Sequence, residues 1–481
     1  MAKPSIKKNY IYNTLYEMLA IITPLITAPY VSRIFQPDGV GIYSRTENMA
    51  AYFVMFSALG IRGYGQREIA QHRDNKQEVS KLFWELELMC ISTTLACLVI
   101  WAGLIGFSNV YAPYYAVLTM TVAATAFDIS WFWSGHEQYR FIVIRNSLIK
   151  IIGIILLFTF VHEKSDLLLY ISLIAITGLL GNLSMWTYLP KYLVKVNIRS
   201  LEVKRHYKET LVYFVPSIAT SIYTKLDKLM IGWITHDDFE NGYYEQATKI
   251  INICKTLVLS INTVVSSRMS YLFAQNKHDE IRAKLKSTLN FVLLIATPIT
   301  FGLIGIAVNF VPFFFGEGYD NVVQILYIMA PLMMVIGISN CFGALYFTPS
   351  GQRARSNKGI VTGAIVNLVL NLITIYFLKA FGAALASVIA ELTITAMYLY
   401  MARDYFDIKC IPGMMWKRLI AAGVMLAVVA AFRSLPVKGI WLIVLQIGGG
   451  ALVYGLTLLL MRDHFLIDNA GIILKKVLRR K

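Results

Sequence analysis

The sequence predicts an all-α membrane protein that crosses the bilayer about fourteen times. Of its 481 residues, 57% are hydrophobic and 15% are charged, whereas a soluble domain carries about 25% charged residues. Apolar runs of about 20 residues, the length that a helix needs to cross about 30 Å of hydrocarbon, recur along the whole chain. Turn signals such as Pro37-Asp38-Gly39 and Asn241-Gly242 separate many of the runs.

The runs predict spans in chain order, and the basic residues between them predict an orientation. Most Lys and Arg residues outside the runs fall on one side of the predicted membrane, which indicates that both termini are cytoplasmic. The loops on the other side are too short for a catalytic domain, which argues against an enzyme such as a polymerase or ligase. The predicted spans are 10–32, 40–62, 83–106, 112–134, 141–161, 167–190, 210–234, 243–266, 287–311, 322–346, 359–378, 382–402, 416–433 and 438–461.

The long basic loop 191–209 divides the first twelve spans into two sets of six. Sets with an even number of spans run in the same direction, as parallel repeats do. Gly41-Ile42-Tyr43 opens the second span of one set, and Gly242-Tyr243-Tyr244 opens the corresponding span of the other. We therefore predict two pseudo-symmetric six-helix lobes, 1–190 and 210–402, around a central cavity, joined by the cytoplasmic linker 191–209. Residues 403–481 would add two peripheral helices and a basic tail.

Charged residues deep in the seventh span are the strongest functional signal. Lys225 lies about 22 Å from the start of the apolar run 211–234, and Asp227 and Lys228 follow it. A charge at such depth usually faces a water-filled cavity and marks the path of a substrate or ion. The alternative is that the lysines reach towards the nearer membrane surface, which suits Lys228 better than Lys225.

The eighth span carries a polar stripe at helical spacing, which predicts either a wet cavity or a polar contact between helices. We favour the cavity because charge inside a membrane is usually functional. The stripe consists of Glu245, Lys249, Asn252, Thr256 and Thr263.

Further ionisable residues lie in other spans, and together they form the candidate site. The lysine excess in spans seven and eight suits an anionic ligand such as a phosphate. The acids, above all Glu17 and Asp128, are candidates to bind a coupling proton or sodium ion. The basic candidates for substrate binding are Arg45, Arg145, Lys225, Lys228 and Lys249, and the candidate coupling or cavity acids are Glu17, Glu47, Asp128, Asp227 and Glu245.

Other charged stretches are expected to be solvated. Glu85 and Glu87, near the start of the third span, are expected to reach the surface, and 64–80 is interpreted as a solvated connector rather than a surface helix. Basic cytoplasmic loops account for the net charge of +17, so nucleic acid is not an expected partner. The sequence contains no phosphate-binding loop, dinucleotide fingerprint or His-Glu-x-x-His motif, so we predict no cofactor and no metal.

Several stretches of spans one to eight resemble the oligosaccharide flippases of bacterial polysaccharide biosynthesis. These flippases, of the O-antigen type, belong to the multidrug/oligosaccharidyl-lipid/polysaccharide exporter superfamily. The similar stretches are Ala28-Pro29-Tyr30-Val31-Ser32-Arg33, Gly39-Val40-Gly41-Ile42-Tyr43-Ser44, Gly63-Tyr64-Gly65-Gln66-Arg67-Glu68-Ile69-Ala70, Asp128-Ile129-Ser130-Trp131-Phe132-Trp133 with Gly135 and Glu137, Arg145-Asn146, Ile222-Tyr223 through Asp227 to Gly232, and Gly242-Tyr243-Tyr244.

The resemblance implies an inner-membrane protein of a bacterium that works by alternating access and is coupled to an ion. Its substrate would be an undecaprenyl-diphosphate-linked oligosaccharide, moved from the cytoplasmic to the periplasmic leaflet, with other polysaccharide assembly proteins as further partners. Family cavity charges match Arg45, Asp128, Arg145 and Asp227 here. The rival functions are a cation-coupled multidrug exporter of the same superfamily, an enzyme, and a channel or scaffold. The basic residues of spans seven and eight argue against a cationic drug.

Overall fold

The computed structural model describes the backbone of residues 6–469, which form helices and turns without any strand. Side chains are described for residues 18–469 except 20, 216, 219, 220, 222–224, 263 and 264. The chain divides into two compact units, Met1–Gly242 and Tyr243–Lys481. The first unit thus continues through the predicted linker and the seventh span. The predicted lobes at 1–190 and 210–402 remain a prediction.

The first unit contains eight α-helices within the described residues and the first residues of a ninth. Short 3-10 helices at Ala124–Phe127, Lys164–Asp166, Met185–Lys191 and Ile198–Ser200 connect them. The α-helices are α1 (Ile6–Ala58), α2 (Ile61–His72), α3 (Lys76–Phe107), α4 (Ala112–Ala123), α5 (Ser130–Gly135), α6 (Tyr139–Phe160), α7 (Leu167–Ser184) and α8 (Lys204–Thr235).

The second unit holds most of α9 (Asp238–Ala274) and the helices that follow it. A π-helical turn at Gly343–Phe347 and a 3-10 turn at Phe432–Ser434 lie between them. The remaining helices are α10 (His278–Phe315), α11 (Asp320–Met329), α12 (Leu332–Phe342), α13 (Arg353–Ala402), α14 (Cys410–Ala431) and α15 (Ile440–Leu460).

The helices confirm the all-α polytopic fold that the apolar runs predict, since each predicted span lies mostly on helical residues. Ten helical segments of the described residues are long and apolar enough to cross a membrane. The longest helices, α1 and α13, each contain two predicted spans. A single non-helical residue separates the two halves of each, Gln36 with φ 57° in α1 and Lys379 with φ 52° in α13.

Helix α13 turns back on itself at Lys379. The hydroxyl of Thr374 donates a hydrogen bond of 2.9 Å to the carbonyl of Gly382. A side chain on Gly382 would overlap the backbone of Thr374, so only glycine allows the two halves to approach so closely. Two predicted spans thus form a hairpin with almost no loop.

The segment after Gly60 corrects one prediction, because 61–72 is a helix and not a solvated connector. Tyr64, Gly65 and Ile69 of α2 are buried. Tyr64 and Ile69 belong to an aromatic cluster in which Phe83 and Trp131 stack with ring centroids 5.6 Å apart, and Gly65 lies against the Trp131 ring. The sequence prediction failed here because only these few apolar residues among many charges mark the buried face of α2.

Glu85 corrects a second prediction, since its side chain is fully buried instead of reaching the surface. Its carboxylate accepts hydrogen bonds from the backbone N–H of Glu202 at 2.6 Å, from Arg205 Nη2 at 2.7 Å and from His206 Nε2 at 2.8 Å. His206 Nδ1 lies 2.9 Å from the hydroxyl of Tyr64. Burial raises the pKa of Tyr64 to about 12, so its phenol keeps the proton at neutral pH. This group, the Glu85 anchor, fixes the start of α8 to α2 and α3.

Helices α14 and α15 pack against α10 of the second unit through a small apolar cluster. The Tyr454 hydroxyl donates to the carbonyl of Leu294 at 3.1 Å, and Arg418 Nη1 donates to that of Asn290 at 2.8 Å. Arg418 is 1% exposed and Asp463 lies 3.8 Å from its Nε atom. The two C-terminal helices are therefore held by polar contacts as well as by apolar packing.

Candidate functional site

A group of charged and polar side chains surrounds Asp128, where helix geometry breaks between α4 and α5. Asp128 has φ −82° and ψ 86°, between the 3-10 turn at Ala124–Phe127 and α5. Its Oδ2 accepts a hydrogen bond of 2.9 Å from Arg62 Nη2, and its Oδ1 lies 3.8 Å from Arg145 Nη1. Arg145 also donates to Asn182 Oδ1 at 2.5 Å. We call Arg62, Asp128, Arg145 and Asn182 the Asp128 cluster.

Two cavities of the first unit meet at Arg62. One, of about 290 Å³, contains the Asp128 cluster. The other, of about 500 Å³, contains Arg62 and Lys225, and we call it the basic cavity. Its hydroxyl groups come from Tyr213, Ser217 and Ser221, and its apolar wall from Ala51, Val54, Met55, Ala58 and Phe214.

Arg62 lines both cavities and contributes its positive charge to each. Its side chain is 71% exposed, whereas the side chain of Asp128, to which it is bonded, is only 12% exposed. It therefore presents positive charge to the basic cavity while the carboxylate holds one of its nitrogens. Such a cavity offers both cationic and apolar surface to a ligand.

Helix α8 supplies the second cation of the basic cavity. Lys225 is exposed, Lys228 is half-buried and Asp227 is 4% exposed. The hydroxyl of Tyr52 in α1 donates to the backbone carbonyl of Ser221 at 3.0 Å, one turn before Lys225. The structure thus places Lys225 in the same cavity as Arg62, and Asp227 on a buried face of the helix.

Arg45 is buried and belongs to a second ionic group in the first unit. Arg45 Nη1 donates to the hydroxyl of Tyr111 at 2.9 Å, and that hydroxyl donates to Asp238 Oδ2 at 2.9 Å. Arg45 Nη1 also lies 3.8 Å from Asp238 Oδ1, and its guanidinium group stacks 4.4 Å from the centroid of the Tyr111 ring. Burial raises the pKa of Tyr111 to about 12, so the phenol remains a donor at neutral pH.

The candidates of the eighth span lie in the second unit. Lys249 Nζ is 3.6 Å from Glu245 Oε1, one helical turn earlier. Asn252 and Thr256 continue the stripe as exposed side chains. The predicted stripe therefore begins as a partly buried ion pair and becomes exposed further along the helix. Thr263 lies outside the described side chains.

Two further acids complete the set predicted from the sequence. Glu47 is half-buried in α1. Glu17 is also in α1, but its side chain lies outside the described residues. The structure therefore joins Arg145 with Asp128 and Lys249 with Glu245, and it places Arg45 and Lys225 in separate groups.

Sequence reasoning missed several residues that complete these groups. Arg62 ends the second predicted span, Asp238 lies between the seventh and eighth predicted spans, and Asn182 is one amide in an apolar run. Their only sequence signal is the occurrence of polar residues at the ends of, or inside, apolar runs. Within the described residues, no three His, Cys, Asp or Glu side chains are grouped so that they could hold a metal ion.

The fold and the buried charges define the chain as a helical membrane transporter of many spans. The chain belongs to the polysaccharide biosynthesis protein family, whose model matches residues 6–273, and residues 141–448 also match the family model of the lipid II flippase MurJ. These matches confirm the predicted flippase family of the multidrug/oligosaccharidyl-lipid/polysaccharide exporter superfamily.

Curated relatives carry names of the same kind. A protein of Escherichia coli (strain K12) named as an O-antigen transporter is 24% identical over 420 residues, which cover 85% of this chain and 99% of the relative. A Haloferax volcanii protein named as a low-salt glycan biosynthesis flippase is 21% identical over 242 residues, 50% of this chain and 51% of the relative.

Solved structures show the same fold. The lipid II flippase MurJ in an inward closed conformation has a TM-score of 0.71 at 18% identity, covering 95% of this chain and 99% of that one. An inward-facing multidrug resistance transporter of the MATE family has a TM-score of 0.58 at 13% identity, covering 80% of this chain and 98% of that one.

Proposed function

We propose that the protein is a flippase that moves undecaprenyl-diphosphate-linked oligosaccharides from the cytoplasmic to the periplasmic leaflet of a bacterial inner membrane. The observation that carries the proposal is the basic cavity, in which Arg62 and Lys225 share a space with hydroxyl groups and an apolar wall. The names of the relatives and the MurJ-like fold support the same substrate class.

The chemistry of this cavity suits each part of such a lipid. Arg62 offers a planar donor that matches phosphate oxygens, and Lys225 offers a point charge. The hydroxyl groups of Tyr213, Ser217 and Ser221 are suited to sugars. The apolar wall suits the first part of the lipid chain. Such a site lowers the cost of taking a charged, sugar-bearing headgroup across about 30 Å of hydrocarbon.

The remaining candidates take supporting roles in the proposal. Arg45, Arg145, Lys228 and Lys249 are proposed further substrate contacts along the route. The acids Glu17, Glu47, Asp128, Asp227 and Glu245 are proposed to set the charge of the route or to bind a coupling proton or sodium ion. Transport proceeds by alternating access, with both termini in the cytoplasm and with other polysaccharide assembly proteins as partners. The protein catalyses no covalent step in this proposal.

The test is polysaccharide assembly in a bacterial strain that lacks its own O-antigen flippase. The wild-type chain is expected to restore surface polysaccharide. The double variant Arg62→Gln/Lys225→Gln is expected to restore at least tenfold less of it. The control variant Arg282→Gln/Lys284→Gln removes the same two charges from exposed positions of α10 and is expected to match the wild type at equal membrane abundance.

Two outcomes would contradict the proposal. Full activity of the Arg62→Gln/Lys225→Gln variant would remove the basic cavity from the mechanism. Resistance of the strain to cationic drugs, without any restored polysaccharide, would favour the multidrug exporter.

A further inference from the structure

Glu87 is a buried acid that the proposed route does not use. It is 1% exposed and lies about 17 Å along α3 from Lys76. Its Oε1 atom is fully buried and has no hydrogen-bond partner among the described residues. Within the same residues, no basic side chain approaches the Glu87 carboxyl group within ion-pair distance. This corrects the expectation that Glu87 reaches the surface.

Backbone carbonyl and hydroxyl oxygens lie near Glu87, but no described basic side chain forms an ion pair with it. Cys90, one turn further along α3, has its Sγ atom 4.0 Å from the carbonyl of Ser57 and 3.6 Å from that of Thr125. The hydroxyl oxygens of Ser57 and Thr125 are themselves buried and lack hydrogen-bond partners among the described residues. Glu87 therefore lies where α1, α3 and the 3-10 turn after α4 meet.

The nearby charges explain why this carboxyl group differs from its neighbours. Asp128 lies within electrostatic reach of Glu87 and has both Arg62 and Arg145 as partners. Glu85, two residues earlier on the opposite face of α3, is bonded to Arg205 and His206 of α8. The titratable groups within electrostatic reach of Glu87 are thus Asp128 and Cys90. The cations Arg62 and Arg145 contact Asp128. Ionised Glu87 would add a second negative charge that no cation contacts directly.

We propose that Glu87 is a proton-binding site linked to the anion in the basic cavity through Arg62 and Asp128. A buried carboxylate without a partner is costly, and the ordinary solution is that the group takes up a proton. The proton binds one carboxylate oxygen and gives a neutral carboxylic acid, so no other reactant is needed.

Anion binding in the basic cavity and proton binding at Glu87 are expected to favour each other, because Arg62 contacts both the cavity and Asp128. This inference rests on the proposed function of the basic cavity. A diphosphate bound to Arg62 in that cavity offsets part of the positive charge of Arg62. Arg62 then neutralises less of the negative charge of Asp128. The electrostatic potential at Glu87 then becomes more negative, and the affinity of the Glu87 carboxylate for a proton increases. By thermodynamic reciprocity, protonation of Glu87 favours binding of the anion by the same factor.

The experiment is an infrared titration of the purified full chain in detergent between pH 5 and 9. The protonated carboxyl band of Glu87 is identified by its loss in Glu87→Gln, which keeps the shape of the neutral acid. Glu391→Gln is the matched control, because Glu391 is a buried acid of the second unit and is 5% exposed. Each titration is repeated with pyrophosphate as a soluble diphosphate and with sodium in place of potassium.

The expected result is a Glu87 band that disappears as the pH rises, with a midpoint that pyrophosphate raises by about one pH unit, a tenfold change in proton affinity. The Glu391 band should not respond to pyrophosphate, and sodium should change neither band. Absence of a Glu87 band over the whole range would overturn the proton site, and its loss on adding sodium would assign the site to sodium instead.

Two further outcomes separate this inference from the proposed function. If calorimetry shows that pyrophosphate binds while the Glu87 midpoint stays fixed, the linkage is wrong and the anion cavity stands. If Glu87 titrates but pyrophosphate does not bind the wild-type chain, the proposed anion cavity is wrong and the linkage through Arg62 is wrong with it.

Discussion

Glu85 and Glu87 lie two residues apart in α3. They have different roles because different numbers of hydrogen-bond donors contact their carboxyl groups. Three donors contact Glu85 at 2.6–2.8 Å, whereas no described donor contacts Glu87 Oε1. A carboxylate can only accept, so His206 Nε2 carries the proton and, in the neutral ring, Nδ1 accepts from Tyr64. Glu85 therefore has a structural role, and the exchangeable proton is assigned to Glu87.

Replacing Glu85 by Gln is expected to lower the thermal unfolding midpoint of the protein in detergent. The amide group places donors against Arg205 and His206, and a buried donor without an acceptor costs about 1–3 kcal/mol. The control is Glu280→Gln, which removes an exposed ion pair with Lys277 and should leave the midpoint unchanged. An unchanged midpoint for Glu85→Gln would show that the Glu85 anchor does not stabilise the fold.

The charged residues of the candidate site were partly predictable and their partners were not. Arg45, Asp128 and Arg145 stand out because charge inside an apolar run is rare. Their partners Tyr111, Arg62 and Asn182 are 66, 66 and 37 positions away along the chain. No helical or strand period connects residues at such distances, so only the tertiary fold could reveal these pairs.

At the scale of elements, the kinked part of α1 makes a reciprocal backbone contact with the start of α9. A Cβ atom on Gly41 would overlap the carbonyl of Asp238, and one on Gly242 would overlap the carbonyl of Pro37. Each glycine thus contacts the residue four positions before the other. These are the two glycines whose matching tripeptides suggested an internal repeat.

Substituting Gly41 by Ala is expected to destabilise the protein by about 1–3 kcal/mol, because the added methyl group must push two helices apart. The matched control is Gly153→Ala in α6, where a Cβ atom would have no neighbour within 4 Å. Alanine there should be neutral or slightly stabilising, since it is the better helix former. Thermal unfolding followed by tryptophan fluorescence compares the two, and equal midpoints would contradict the close contact.

The helices were the most predictable part of the structure. An apolar run of about 20 residues in a membrane must satisfy its own backbone hydrogen bonds, and a helix does so. The joins between helices were less predictable. Pro37 favours an extended residue before it, and Gln36 accordingly leaves the helix. The left-handed φ value of Gln36, like that of Lys379, has no sequence signal.

At the scale of the whole molecule, the orientation in the membrane follows from the distribution of Lys and Arg and can be tested with two serines. Ser165 and Ser200 are both exposed between helices, and the sequence predicts them on opposite sides of the membrane. Ser165→Cys should react with a membrane-impermeant maleimide in intact cells, whereas Ser200→Cys should react only after the membrane is opened. The reverse pattern would invert the predicted topology.

The central claim is that the basic cavity carries a lipid-linked diphosphate. The most direct measurement is the rate at which purified protein in liposomes transfers an undecaprenyl-diphosphate-linked oligosaccharide between leaflets. Removal of Arg62 and Lys225 should slow transfer at least tenfold, the loss of about 1.4 kcal/mol of stabilisation, while the Arg282→Gln/Lys284→Gln variant should transfer at the wild-type rate. Equal rates for all three proteins would contradict the claim.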